Sequence, residues 1–292
     1  MCTARTKTIT TRDGVSISVR DFGDRDAMRT VVLLHGFCLD QRAWEPHAEE
    51  LVSRDQNTRV ITYDHRGHGK SGHADIATYT IPQLADDLAD VLDRLGVRGE
   101  VTLAGHSMGG MTILEYMKSP QHIRPTNILL VATAAGKLSA RGVGKILSLP
   151  LAGVMRRNPR FMPERFVEAV TRAVFAPILT NGVPRAAYTN GHLPAHARSA
   201  ARAIAGTAYR TKMGFPFALR EFDAYDTLPT ISAATLVISG GKDALTPVAH
   251  SADMAAGIPH AEHLHFPHAG HMVLHEEFDA VVSALELMGA VR

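Results

Sequence analysis

The 292-residue chain holds only two cysteines, Cys2 and Cys38, one tryptophan and an aromatic share of 6%. Two cysteines cannot form a disulfide framework, so two free thiols and a reducing compartment are expected. No apolar run reaches the roughly 20 residues needed to span a bilayer. The stretch 1–12 is Thr-rich and polar, with no apolar segment of a secretory signal, and a cytoplasmic location is expected. An excess of either charge is missing too. The 31 Lys and Arg nearly balance 29 Asp and Glu, and a net charge of +2 is too small to imply nucleic acid as a partner. There is no H-E-x-x-H pattern or cysteine pair to hold a metal, and no G-x-G-x-x-G after a strand, so neither metal nor cofactor is expected.

What is present suits one large α/β domain with an insertion: 45% hydrophobic and 21% charged residues, without repeats or low-complexity tracts. Alternating runs at 6–11 and 15–21 flank Arg12-Asp13-Gly14 and predict a β-hairpin. Six β-branched or Leu-rich runs follow, at 31–34, 59–63, 101–104, 128–131, 235–239 and 262–266. Runs of this kind fit strands buried on both faces of a mostly parallel sheet. Helical patterns separate them. Residues 81–95 carry Leu84, Leu88, Val91, Leu92 and Leu95 on one face and stop at Gly96; 108–118 end before Pro120; 275–288 form the last helix. The alternation predicts a mostly parallel, eight-stranded sheet flanked by helices with right-handed crossovers.

Between 134 and 219 the alternation stops. Short helical pieces such as 164–175 and 195–209 replace it, and they predict a helical cap inserted after the sixth strand, with 1–133 and 220–292 forming the core domain. The insertion holds 13 Lys or Arg against Glu164 and Glu168, a local net of +11 that leaves −9 for the rest. Attraction between a basic cap and an acidic core explains the asymmetry. A sharper reading adds contact with an anionic lipid surface or an anionic substrate.

Gly105-His106-Ser107-Met108-Gly109 matches G-x-S-x-G between a strand and a helix. A serine at so sharp a turn needs small neighbours two positions away, and the turn offers the Met108 N–H to a developing oxyanion. His35-Gly36-Phe37 follows the strand at 31–34 and can aim the Phe37 N–H at the same oxyanion, with His35 orienting the loop. Asp243, in Gly240-Gly241-Lys242-Asp243 just past the strand at 235–239, is placed to orient a histidine; Asp253 and Asp279 lie inside helical patterns. Sixteen histidines compete for the base, His268 and His275 among them. His271 is selected because it follows the last strand in the chain order nucleophile, acid, histidine.

These marks, together with Asp64-His65-Arg66-Gly67-His68-Gly69-Lys70-Ser71, resemble the α/β-hydrolase fold family over nearly the whole chain. The resemblance implies Ser107 as nucleophile, Asp243 as orienting acid, His271 as base and an oxyanion hole from the Phe37 and Met108 amides. It assigns Asp64 to Ser71 a structural role behind the oxyanion loop. Serine at the nucleophile position excludes the epoxide hydrolase and haloalkane dehalogenase mechanisms, which need a carboxylate to attack carbon.

The expected activity is hydrolysis of an apolar or aromatic carboxylic ester, with Trp44, Phe161, Phe166, Phe175 and Phe215 as candidate pocket residues. Carbon–carbon bond hydrolysis, acyl transfer and perhydrolysis would use the same triad. A ligand receptor or non-catalytic interaction protein is the alternative from another class.

Overall fold

A computed structural model describes residues 4–120, 122–142, 164–165, 167–169, 171–172, 175 and 195–289. The hairpin forms as expected: β1 (Arg5–Thr10) and β2 (Ser16–Phe22) pair antiparallel with Thr10 opposite Ser16, and Gly14 takes the left-handed position with φ 89°. The six apolar runs become β3 (Arg29–Leu34), β4 (Thr58–Tyr63), β5 (Glu100–His106), β6 (Asn127–Val131), β7 (Ala234–Gly240) and β8 (Glu262–Phe266). The eight strands lie in the order β1-β2-β4-β3-β5-β6-β7-β8. From β4 to β8 every pairing is parallel, while β2 runs antiparallel to β4.

Period-two alternation divides the core between the two faces of this sheet. Val32, Leu34, Leu103, Ile128, Leu130 and Val237 face one way. There they meet α2 (Ile81–Arg94), α3 (Met108–Tyr116) and α6 (Val248–Gly257) through residues such as Leu88, Ile113 and Met254. Val31, Leu33, Leu129, Val131 and Ile238 face the other way, onto Leu51 of α1 (Glu45–Arg54) and Val281 and Leu285 of α8 (Phe278–Leu287). Covering both faces is why these strands read as continuous apolar runs.

α2 shows how local sequence sets an element. The Thr80 hydroxyl accepts from the Gln83 N–H at its start, and Pro82 sits in the first turn. At its end Gly96 turns left-handed (φ 60°), so that Gly96 N–H donates to Asp93 O and Val97 N–H to Leu92 O.

Two expectations are corrected. β8 is an edge strand with exposed residues, not one buried on both faces. The last helix is broken into α7 (Val273–Glu276) and α8, because Glu277 leaves helical geometry at φ −121°, ψ 47°.

Within the expected cap, the segment 143–163 and most of 166–194 lie outside the described residues, Phe161 and Phe166 among them. The described part contains a short turn at Leu138–Ala140, then α4 (Ala195–Gly206) and α5 (Tyr209–Glu221). Its two ends are tied together by an antiparallel bridge between Gly136 and Asp223 and by Ala224 N–H donating to Ala135 O at 2.7 Å. Some of its basic charge is matched within the fold: Arg141 pairs with Asp253 of α6 at 2.8 Å. No helix among the described residues is long and apolar enough to cross a membrane.

Candidate active site

Four loops meet at the carboxyl ends of β3, β5, β7 and β8, the edge of a parallel sheet where ligands bind. The loop after β5 is the sharpest. Ser107 has φ 53° and ψ −118°, a conformation that costs a non-glycine residue about 1–3 kcal/mol. The fold imposes it by packing β5 tightly against α3. A Cβ at Gly105 would lie 2.4 Å from Gly109 C, and one at Gly109 would lie 2.3 Å from Leu34 O. Ser107 N–H donates to Val131 O at 2.9 Å, and the Thr133 hydroxyl donates to Ser107 O at 2.6 Å. Met108 N–H then opens the first turn of α3, where no intrahelical acceptor exists for it.

Asp243 and His271 form the second half. The His271 Nδ1–H donates to Asp243 Oδ2 at 2.8 Å, which leaves Nε2 as the acceptor of the ring. The same carboxylate takes the Thr246 hydroxyl on Oδ2 at 2.6 Å and the Leu245 and Thr246 amides on Oδ1 at 2.8 and 2.9 Å. Burial works to raise the Asp243 pKa, but the charge of His271 and this set of donors outweigh it and hold the carboxyl below its usual range. The acid and histidine loops cross in direct contact. Lys242 N–H donates to Ala269 O at 2.8 Å, and a Cβ at Gly240 would meet Gly270 O at 2.4 Å. That contact explains the glycines ahead of Asp243.

The rival residues lie elsewhere. His268 is exposed. His275 stacks on His196 of α4, with ring centroids 5.1 Å apart. Asp253 accepts from the Tyr225 hydroxyl at 2.7 Å, and Asp279 is exposed on α8.

The loop after β3 is set by three buried histidines whose partners fix their tautomers. His65 N–H donates to His35 Nε2 at 3.0 Å, so the His35 proton is on Nδ1 and is given to Gly36 O at 2.8 Å. Cys38 N–H donates to His68 Nε2 at 3.2 Å, and His68 Nδ1–H donates to Arg66 O at 3.1 Å. The His65 Nε2–H donates to His35 O at 3.1 Å. Burial pushes all three imidazoles down, His68 to about 3, so they are neutral struts and take no proton at neutral pH. Beneath them Arg66 is fully buried and doubly forked onto Asp87 (2.6 and 2.7 Å) and Asp13 (2.9 and 3.0 Å). The stretch from Asp64 to Ser71 therefore acts as scaffold.

Of the aromatic candidates, Phe37, Phe175 and Phe215 come together, with Phe37 centroids 6.2 Å from Phe175 and 6.1 Å from Phe215. Phe215 is itself buried and stacked on Tyr79 at 5.1 Å. Trp44 lies apart in the core, where its indole N–H donates to Leu34 O at 2.8 Å and its ring meets His47.

Sequence reasoning missed Thr246, His106 and Thr133. Thr246 had a usable signal, a hydroxyl three residues after Asp243 in a turn that the aspartate itself caps. His106 had one as well, a polar residue closing an apolar strand. Among the described residues, no cluster of three or more His, Cys, Asp or Glu is arranged to hold a metal ion.

Comparison with known proteins agrees with the fold. The alpha/beta hydrolase fold family matches residues 29–278. The chain is 29% identical over 262 residues to a non-heme haloperoxidase of Rhodococcus erythropolis, covering 85% of each protein. It is 28% identical over 246 residues to 3-oxoadipate enol-lactonase 1 of Acinetobacter baylyi, covering 82% of this chain and 80% of that one. It is similar in structure to a thermophilic esterase from Thermogutta terrifontis, with a TM-score of 0.74, 28% identity and 97% of each chain covered. A match over that span, on a sheet of this order, makes the chain a member of the alpha/beta hydrolase fold family and a hydrolase-type enzyme.

Proposed function

We propose that the chain hydrolyses carboxylic esters through an acyl-enzyme on Ser107, with His271 as base and Asp243 as its orienting acid. The observation that carries this reading is the buried Asp243–His271 pair, its carboxylate accepting from four donors including His271, with the positive-φ Ser107 directly after the His106 that donates to the His271 carbonyl.

Ser107 Oγ attacks the acyl carbon while His271 Nε2 takes its proton. The Phe37 and Met108 amides hold the oxyanion. The acyl C–O bond breaks, and the alcohol leaves with the proton returned by His271. Water then attacks the acyl-enzyme with His271 again as base, releasing the acid and restoring Ser107. Asp243 holds Nδ1–H throughout, so Nε2 always faces the reaction. Phe37 and Phe175, with the buried Phe215 behind Phe37, supply an apolar wall suited to an aliphatic or aromatic acyl group.

The test is steady-state hydrolysis of 4-nitrophenyl esters of graded acyl length, with an aromatic acyl ester and a lactone in the same panel. Turnover that drops at least about 10³-fold in Ser107→Ala supports the reading. Turnover equal in the two proteins on every substrate contradicts it.

A further inference from the structure

His106, the residue before the nucleophile, is 1% exposed and stands between three segments of the site. Its Nε2–H donates to the backbone carbonyl of His271 at 2.8 Å, since a carbonyl can only accept. Its ring lies 4.9 Å from the His271 ring, tilted by 53°. Its other edge faces the loop after β3: a Cβ at Gly36 would come within 2.8 Å of His106 Nδ1 and 3.2 Å of Ser107 Cβ. Nδ1 is buried without a hydrogen-bond partner, so a second proton there would be unsolvated and the ring stays neutral.

We propose that His106 is a positioning residue for the reaction, tying the His271 backbone to the serine turn so that the His271 ring points at Ser107. This role rests on the ester-hydrolase reading. The need for it is geometric. The bond from His271 Nδ1 to Asp243 fixes one end of the imidazole but leaves the ring free to swing with its backbone. The tie from His106 fixes that backbone, because the residue that donates is adjacent to the nucleophile in the chain. Both fixed points together define where Nε2 lies relative to Oγ, and a displacement of about 1 Å there can cost about a hundredfold in rate. The same ring explains glycine at position 36: a side chain there would displace the donor.

The experiment compares His106→Phe, which fills the space without a donor, with His106→Gln, whose amide nitrogen stands where Nε2 does. The readouts are kcat and KM on the best ester found for the wild type, with thermal unfolding of each variant. The expected result is kcat lowered at least about tenfold in the Phe variant with KM within about threefold, and kcat restored to within about threefold of wild type in the Gln variant. Should the Phe variant not fold, His106→Asn takes its place, since its shorter amide does not reach the carbonyl. Wild-type kcat in a donor-less variant overturns the proposal, as does a folded Gln variant as slow as the donor-less one. Those outcomes leave Ser107-dependent turnover of the wild type intact. A wild type without such turnover overturns the ester-hydrolase reading itself, and this role with it.

Discussion

Single side chains carry most of the site's chemistry, and their worth can be ranked from the partners they keep. Asp243→Asn leaves the shape of the turn but puts an amide where His271 Nδ1–H needs an acceptor. We expect kcat to fall about 10⁴-fold, measured on the best ester substrate, with little change in unfolding temperature. Thr246→Val removes one of four donors from the carboxylate, so the expected loss is smaller, about tenfold in kcat/KM. Unchanged kinetics would mean that the backbone amides alone hold Asp243. Cys38 lies next to Phe37, yet burial pushes its thiol up to about 12. It should stay silent towards a thiol reagent until the chain unfolds. A motif and a chain order single out Ser107, Asp243 and His271 in the sequence, and the structure pairs Asp243 with His271. His106 and Thr246 left only faint marks, a polar residue ending an apolar strand and a hydroxyl three residues past Asp243, because each acts on a neighbour's carbonyl or carboxylate and no spacing rule records such contacts.

Strands and helices were read more completely than the turns between them. Five of the six parallel strands follow apolar runs, since burial between two layers of helices leaves little choice of residue. β8 broke the pattern as an edge strand, with His263 and His265 both hydrogen-bonded to the Ser239 hydroxyl. The break at Glu277 was invisible because Phe278, Val281 and Leu285 keep helical spacing across the start of α8. Gly96 gives a clean test of an element boundary. Its φ is 60° and nothing lies within 4 Å of where a Cβ would be, so Gly96→Ala meets only backbone strain. The expected cost is about 1 kcal/mol in urea unfolding, with activity unchanged. Gly206, which also has open space and no left-handed φ, is the control and should lose nothing on the same substitution.

The molecule as a whole keeps several histidines neutral by burial, and this gives its stability a pH dependence of definite sign. His68 and His106 are pushed down to about 3 and His47 to about 4, whereas an unfolded histidine titrates near 6.5. Between those values the unfolded chain binds protons that the native state refuses. Stability is therefore fully present above about pH 6.5 and declines as the pH falls, by up to about 1.4 kcal/mol per pH unit for each such histidine. Guanidinium unfolding at pH 7 and pH 5 checks this; equal stability at both would contradict it. The order of strands was not legible from the sequence, because the placement of β4 between β2 and β3 depends on pairings far apart in the chain.

An activated serine is what the whole arrangement of strained turn, buried acid and tied histidine implies. Reaction of the purified protein with a fluorophosphonate, read by intact mass beside Ser107→Ala, tests it. The account predicts one adduct on the wild type and none on the variant. A folded wild type that takes no adduct, or an adduct that survives in Ser107→Ala, would contradict it.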